Sequence, residues 1–202
     1  MYFRLPKFIK RMFPMLHWNF SDADSIFITF DDGPHPKITP WVLDQLKRYD
    51  AKATFFCIGK NVEQYPEVVE KIKTEGHSLG NHSYSHIKGW GYSAGRYIED
   101  VDLANGLIHT TLFRPPYGRI SLTQIRRVAE RNHIIMWDIL SRDYSHFVSP
   151  KRCVKGVVKH LRGGSVIVFH DSVKASRNLY YALPIVLEEI RKRGFTCKAI
   201  EL

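Results

Sequence analysis

Short apolar runs rich in β-branched and aromatic residues recur along this chain, each followed by a longer stretch with amphipathic spacing. That alternation is the tightest constraint on the fold, because strands and helices in turn can bury their apolar faces only in layers. The strand-like runs fall at 25–30, 52–58, 77–81, 110–113, 133–138, 165–170 and 195–200. Helical spacing occupies 39–49, 66–74, 94–108, 122–131, 150–161 and 177–193. Ser149 before Pro150 is a helix cap with proline at the first helical position, and Gly163 and Gly194 stand where helices should stop. The fold class is α/β, with about seven parallel strands in a closed or nearly closed barrel; an open doubly wound sheet is the alternative.

A chain of 202 residues with 44% hydrophobic and 13% aromatic content can bury a core without disulfides or a structural metal. Any metal site is therefore free to serve chemistry. Cys57, Cys153 and Cys197 are too few and too scattered for a disulfide framework, and two of them sit in strand-like runs as small hydrophobes. The net charge of +10 suits polyanions in general. Without a zinc-finger spacing, a Walker loop or an arginine-rich tract, nucleic acid is not an expected partner, and no partner protein is expected.

Residues 1–20 read as a basic, aromatic N-terminal arm and 21–202 as one domain. Arg4, Lys7, Lys10 and Arg11 interrupt the apolar core that a secretory signal needs. The arm either packs over the domain or touches an anionic membrane surface peripherally. The expected location is cytoplasmic, at the inner membrane surface where such contact is made.

In either architecture chemistry gathers where strands end. Asp31 and Asp32 follow the first run, His82 and His86 the third, Arg114 the fourth, Asp143 lies beyond the fifth, and His170 ends the sixth. The Gly33-Pro34 bend lets both acids face one cavity. The four-residue spacing of His82 and His86 brings two imidazoles to one face of a helical turn. Asp32, His82 and His86 together make a three-ligand site with a position left for water, as hydrolytic metal centres have. Asp31 would then accept the water's proton, and His170 would protonate the leaving group.

Five segments in this order resemble the polysaccharide deacetylase family, also called the NodB-homology domain or carbohydrate esterase family 4. They are TFDDGP (29–34), HSYSH (82–86), RPPYG (114–118), WDILSRDY (137–144) and SVIVFHD (165–171). The resemblance implies a distorted (β/α) barrel and one divalent metal, zinc foremost with Co²⁺, Ni²⁺ or Mn²⁺ as alternatives, on Asp32, His82 and His86. It implies Asp31 as base, His170 as acid, Arg114 positioning the base and Asp143 supporting the network. Tyr117 would offer a backbone N–H to the oxyanion, and Trp137 and Val168 would line the acetyl pocket. The implied substrate is an N-acetylated amino sugar in a glycan or glycoconjugate, with an O-acetyl ester or silent glycan binding as the other outcomes of such a fold.

Three positions depart from the family pattern. Leu140 stands where an acid is common, Tyr144 where tryptophan is usual, and Val168 where leucine is common. The expected consequence is an altered pocket wall and one missing polar support.

Overall fold

The structure, a computed structural model, describes residues 11–202. The first ten residues, with Arg4, Lys7 and Lys10 and much of the membrane-surface expectation, lie outside the described residues. Among the described residues no helix is long and apolar enough to cross a membrane.

Among the described residues eight strands form one sheet: β1 (Ser25–Asp31), β2 (Ala53–Cys57), β3 (Ser78–Asn81), β4 (Leu112–Phe113), β5 (His133–Ile134), β6 (Ile139–Leu140), β7 (Val166–His170) and β8 (Thr196–Cys197). Every strand pairing is parallel, in the order β5-β4-β3-β2-β1-β7-β6, with β8 also on β1. β5 and β6 stand at opposite ends of that order yet are separated in sequence only by residues 135–138. The chain therefore draws the two edges together and curls the sheet into a distorted barrel.

The single strand expected at 133–138 is thus two short ones bent round a seam. Ile135 N–H donates to Phe113 O on one side, and Asp138 N–H to Val166 O on the other. His17 sits at the seam, its N–H donating to Ile134 O and its carbonyl accepting from Met136 N–H, while Asn19 bridges Ser165. Leu16 and Trp18 are buried beside it with Phe113, Ile134 and Met136. Residues 16–20 pack as part of the barrel wall.

The helices are α1 (Ile38–Arg48), α2 (Gly59–Gln64), α3 (Pro66–Thr74), α4 (Ala94–Ile108), α5 (Leu122–Val128), α6 (Pro150–Val158) and α7 (Ser176–Lys192). The short α2 was not expected, since it buries only Gly59 and Val62 and so offers no periodicity to read. Local chemistry starts several of the others. Ser149 Oγ accepts from Arg152 N–H ahead of Pro150, and Ser121 with Gln124 closes a reciprocal capping box. After α7, Gly194 at φ 76° takes the left-handed turn that ends it.

Alternation along β1 divides the interior in two. Ile26, Ile28 and Phe30 face the helices and join the main core with Phe55, Ile167 and Leu183. Phe27, Thr29 and Asp31 face the barrel lumen, where Phe27, Phe56, Leu112, Ile135, Val166 and Ile200 make an apolar floor. Because β1 is covered on both faces, all seven of its residues are buried. Cys57, Cys153 and Cys197 carry free thiols, and burial pushes the Cys57 thiol well above its ordinary value, as fits packing residues.

Candidate active site

At the top of β1, Asp31 ends the strand and Asp32 turns through φ 77°. Consecutive strand residues point to opposite faces, so without this left-handed turn the two carboxylates would diverge. With it, both line one cavity. Asn61 Nδ2 donates to Asp32 O at 2.8 Å and holds the turn from α2. Gly33 follows because a Cβ there would run into the Asp171 carboxylate.

His82 and His86 are not on a helical turn, as their spacing had suggested, but on the loop after β3, with Ser83 at φ 61° and His86 at φ 55°. Polar groups invisible to the spacing argument set that loop. Asn81 Oδ1 accepts from Ser83 N–H at 2.6 Å, and the Asp100 carboxylate accepts from Ser85 N–H at 2.9 Å. His82 Nδ1 lies 2.8 Å from the Arg114 carbonyl, which can only accept, so Nδ1 carries the proton and Nε2 keeps its lone pair. Burial lowers His82 to about 4, leaving the neutral imidazole that a metal ligand must be.

His86 Nε2 lies 3.2 Å and His82 Nε2 3.8 Å from the same Asp32 oxygen. The three donor atoms all fall within 4.8 Å of one another. Burial would raise Asp32, but the hydrogen bond from His86 and the charges of His170 and His82 outweigh it, holding the carboxyl below the usual range. Two imidazole nitrogens and one carboxylate converging in this way fit a divalent cation and leave coordination positions open.

Arg114, fully buried, anchors the other acid. Its Nη1 donates to Asp31 Oδ1 at 2.7 Å and Thr29 Oγ1 at 2.6 Å, while Nε and Nη2 donate at 3.0 Å to Ile135 O and Met136 O. The guanidinium stacks on Phe56, 4.0 Å from the ring centroid. A charge with this many partners keeps its burial tolerable and leaves Asp31 one orientation.

Across the cavity His170 closes β7. Its Nδ1 lies 2.8 Å from Asp143 Oδ1, and its backbone N–H donates to Asp143 Oδ2 at 2.8 Å. Burial acts to lower His170, but the charge and hydrogen bond of Asp143 overcome it, with Asp32 and Asp31 adding, and raise it to about 9. Asp143 is itself held by Ser141 Oγ at 2.9 Å and the Tyr144 N–H at 3.0 Å. Asn178 Nδ2 fixes the Asp143 backbone at 2.8 Å from α7, a role that no motif announced.

The cavity measures about 460 Å³. Asp31, Asp32, His82, His86 and His170 reach it directly, whereas Arg114 and Asp143 stand behind Asp31 and His170. Trp137, Leu140, Tyr144 and Val168 form an apolar wall, so the departures at 140, 144 and 168 all fall on lining positions. Tyr117 turns through φ 60° and lines the cavity, its ring centroid 4.6 Å from that of His86. The lining also contains Lys88, Arg119 and Lys174, which motif reading did not select.

A sequence model of the polysaccharide deacetylase family matches residues 20–136. The chain is 33% identical over 191 residues to a peptidoglycan-N-acetylglucosamine deacetylase of Bacillus cereus, covering 88% of this chain and 87% of that one. It is 31% identical over 204 residues to a chitooligosaccharide deacetylase of Azorhizobium caulinodans, with 89% and 94% covered. The crystal structure of the Bc1960 peptidoglycan N-acetylglucosamine deacetylase superposes with a TM-score of 0.85 at 28% identity, covering 92% and 90% of the two chains. Sequence, fold and the grouping of side chains agree: this chain belongs to the polysaccharide deacetylase family.

Proposed function

We propose that this chain hydrolyses the N-acetyl group of an amino sugar within a glycan or glycoconjugate, releasing acetate and leaving a free amine. The observation that carries the proposal is the division between adjacent acids: Asp32 faces two imidazoles, while Asp31 is clamped by a buried arginine. The named activities of the relatives support the same reading.

Asp32, His82 and His86 would hold the divalent ion, which we take to be zinc from the nitrogen-rich donor set. Bound there, it would supply Lewis acidity, making water a better nucleophile and polarising the acetyl carbonyl. Asp31, fixed by Arg114, accepts the proton of the attacking water. The Tyr117 N–H stabilises the charge that develops on the acetyl oxygen. His170 offers its proton from Nε2 to the departing nitrogen, since Asp143 occupies Nδ1. Asp143 makes the largest favourable contributions to that proton's retention and lies outside the ligand set.

Metal-loaded protein should release acetate from N-acetylated oligosaccharides and lose that activity on chelation, with recovery on adding zinc. If no acetylated glycan in a broad panel yields acetate, the proposal fails.

A further inference from the structure

Three cations ring the mouth of the active-site cavity, each resting on the face of an aromatic side chain. Lys88 Nζ lies 5.4 Å from the Tyr117 ring centroid, Arg119 Cζ 5.4 Å from Trp90, and Lys174 Nζ 5.7 Å from Tyr144. Lys88, Arg119 and Lys174 are all exposed and all line the cavity. Among the described residues none of them has a carboxylate within ion-pair distance, although surface acids pair with other lysines and arginines elsewhere. Among the described residues the only acids lining the cavity are Asp31 and Asp32. Asp31 is paired with Arg114, and Asp32 faces His82 and His86, with which it would hold the metal ion.

The positive charge extends beyond the mouth. Lys174 is shared with a second cavity of about 510 Å³, whose lining adds Arg177 and also Asp143, a carboxylate already bonded to His170. A glycan running from the first cavity toward the second would pass along cations held over aromatic faces, which fixes the head groups without neutralising them. Electropositive clefts of this kind raise the local concentration of anionic substrates and speed their capture.

From this arrangement we infer that the preferred substrate is an anionic glycan, one that carries carboxylate or phosphate groups on sugars flanking the N-acetylated residue. Lys88, Arg119 and Lys174 are its specificity-determining residues. The inference rests on the deacetylase reading for turnover but has its own signature in binding.

The test uses the full chain, loaded with zinc, and three probes. They are N-acetylchitotetraose, a tetrasaccharide alternating N-acetylglucosamine and glucuronate, and an N-acetylglucosaminyl oligosaccharide bearing a phosphate monoester. Binding is read by calorimetry and turnover by acetate release, each at low and high salt. At least one anionic probe should bind about 10–100-fold tighter than the neutral one at low salt, with the advantage shrinking as salt screens it. Which anionic probe wins decides between carboxylate and phosphate.

Lys88→Gln, Arg119→Gln and Lys174→Gln should each reduce the anionic-to-neutral binding ratio about 2–5-fold, and the triple variant should bring it close to one. Equal binding of neutral and anionic probes by the wild type, or a ratio untouched in the triple variant, overturns the inference. Because binding is scored apart from acetate release, tight anionic binding without turnover would sink the deacetylase reading alone. Turnover of the neutral probe with no anionic preference would sink the rim inference alone.

Discussion

Arg114 and Arg119 carry the same guanidinium five positions apart, yet they occupy opposite physical worlds. Arg114 is buried on Phe56 with all of its guanidinium nitrogens bonded to Asp31, Thr29, Ile135 and Met136, whereas Arg119 lies exposed over Trp90. A buried charge is tolerable only with every partner in place, so removing one side strands the other. An exposed charge loses little when cut and acts mainly on what approaches from solution. The same chemistry thus serves as framework at one depth and as selection at another.

The largest effect should come from breaking the buried half. Arg114→Met would leave the buried Asp31 carboxylate without its cation and cost roughly 3–5 kcal/mol of stability, together with nearly all turnover. Urea denaturation beside acetate release checks both, and a variant within about 1 kcal/mol of wild type would show that Arg114 is dispensable to the framework.

Next come the two acids. Asp32→Ala should lose bound zinc, because two imidazoles alone are a poor set, and turnover should vanish with it. Asp31→Asn should keep zinc while turnover falls about 10²–10⁴-fold, the amide being unable to accept a proton. Zinc content measured beside rate separates them, and the reverse pattern would exchange their roles.

Smaller, and dependent on pH, is the effect at His170. Its folded pKa, raised to about 9, exceeds the ordinary value of about 6.5. The stabilisation from the charged His170–Asp143 pair is therefore complete below about 6.5 and is lost as pH rises through about 9. The general acid disappears over the same upper limb. Asp143→Asn removes the dominant support and leaves burial to act, so the alkaline limb of kcat should move down to neutral pH or below. A limb that stays near 9 in a folded variant would assign the proton to another group.

The smallest effect lies at the rim. Arg119→Gln should leave stability within about 0.5 kcal/mol, since no partner is stranded. Its mark should be a flatter salt dependence of anionic-substrate capture, measured as kcat/KM across ionic strength.

The acids, imidazoles, Arg114 and the strand–helix alternation were legible because each is announced by its neighbours in sequence. The 29–34 segment ends an apolar run in two acids and a turn pair, and period-2 and period-3.6 patterns are properties of adjacent residues. Less legible was how these parts are held. The spacing of His82 and His86 suggested a helical turn, but Asn81 and Asp100 fold that stretch into a loop through bonds that no periodicity encodes. Lys88, Arg119 and Lys174 belong to no motif, so nothing in their surroundings marked them.

By itself, then, the order of residues determined which groups could do chemistry, that they would stand at strand ends, and that the fold would alternate β and α. The tertiary structure alone decided that Arg114 would reach Asp31 across 83 positions, that Asp143 would sit beneath His170 across 27, and that β5 and β6 would stand at the two ends of one curled sheet. The reason is physical. Propensity and patterning act over a few residues, whereas these meetings depend on strand register and barrel curvature, which only the packing of the whole chain sets.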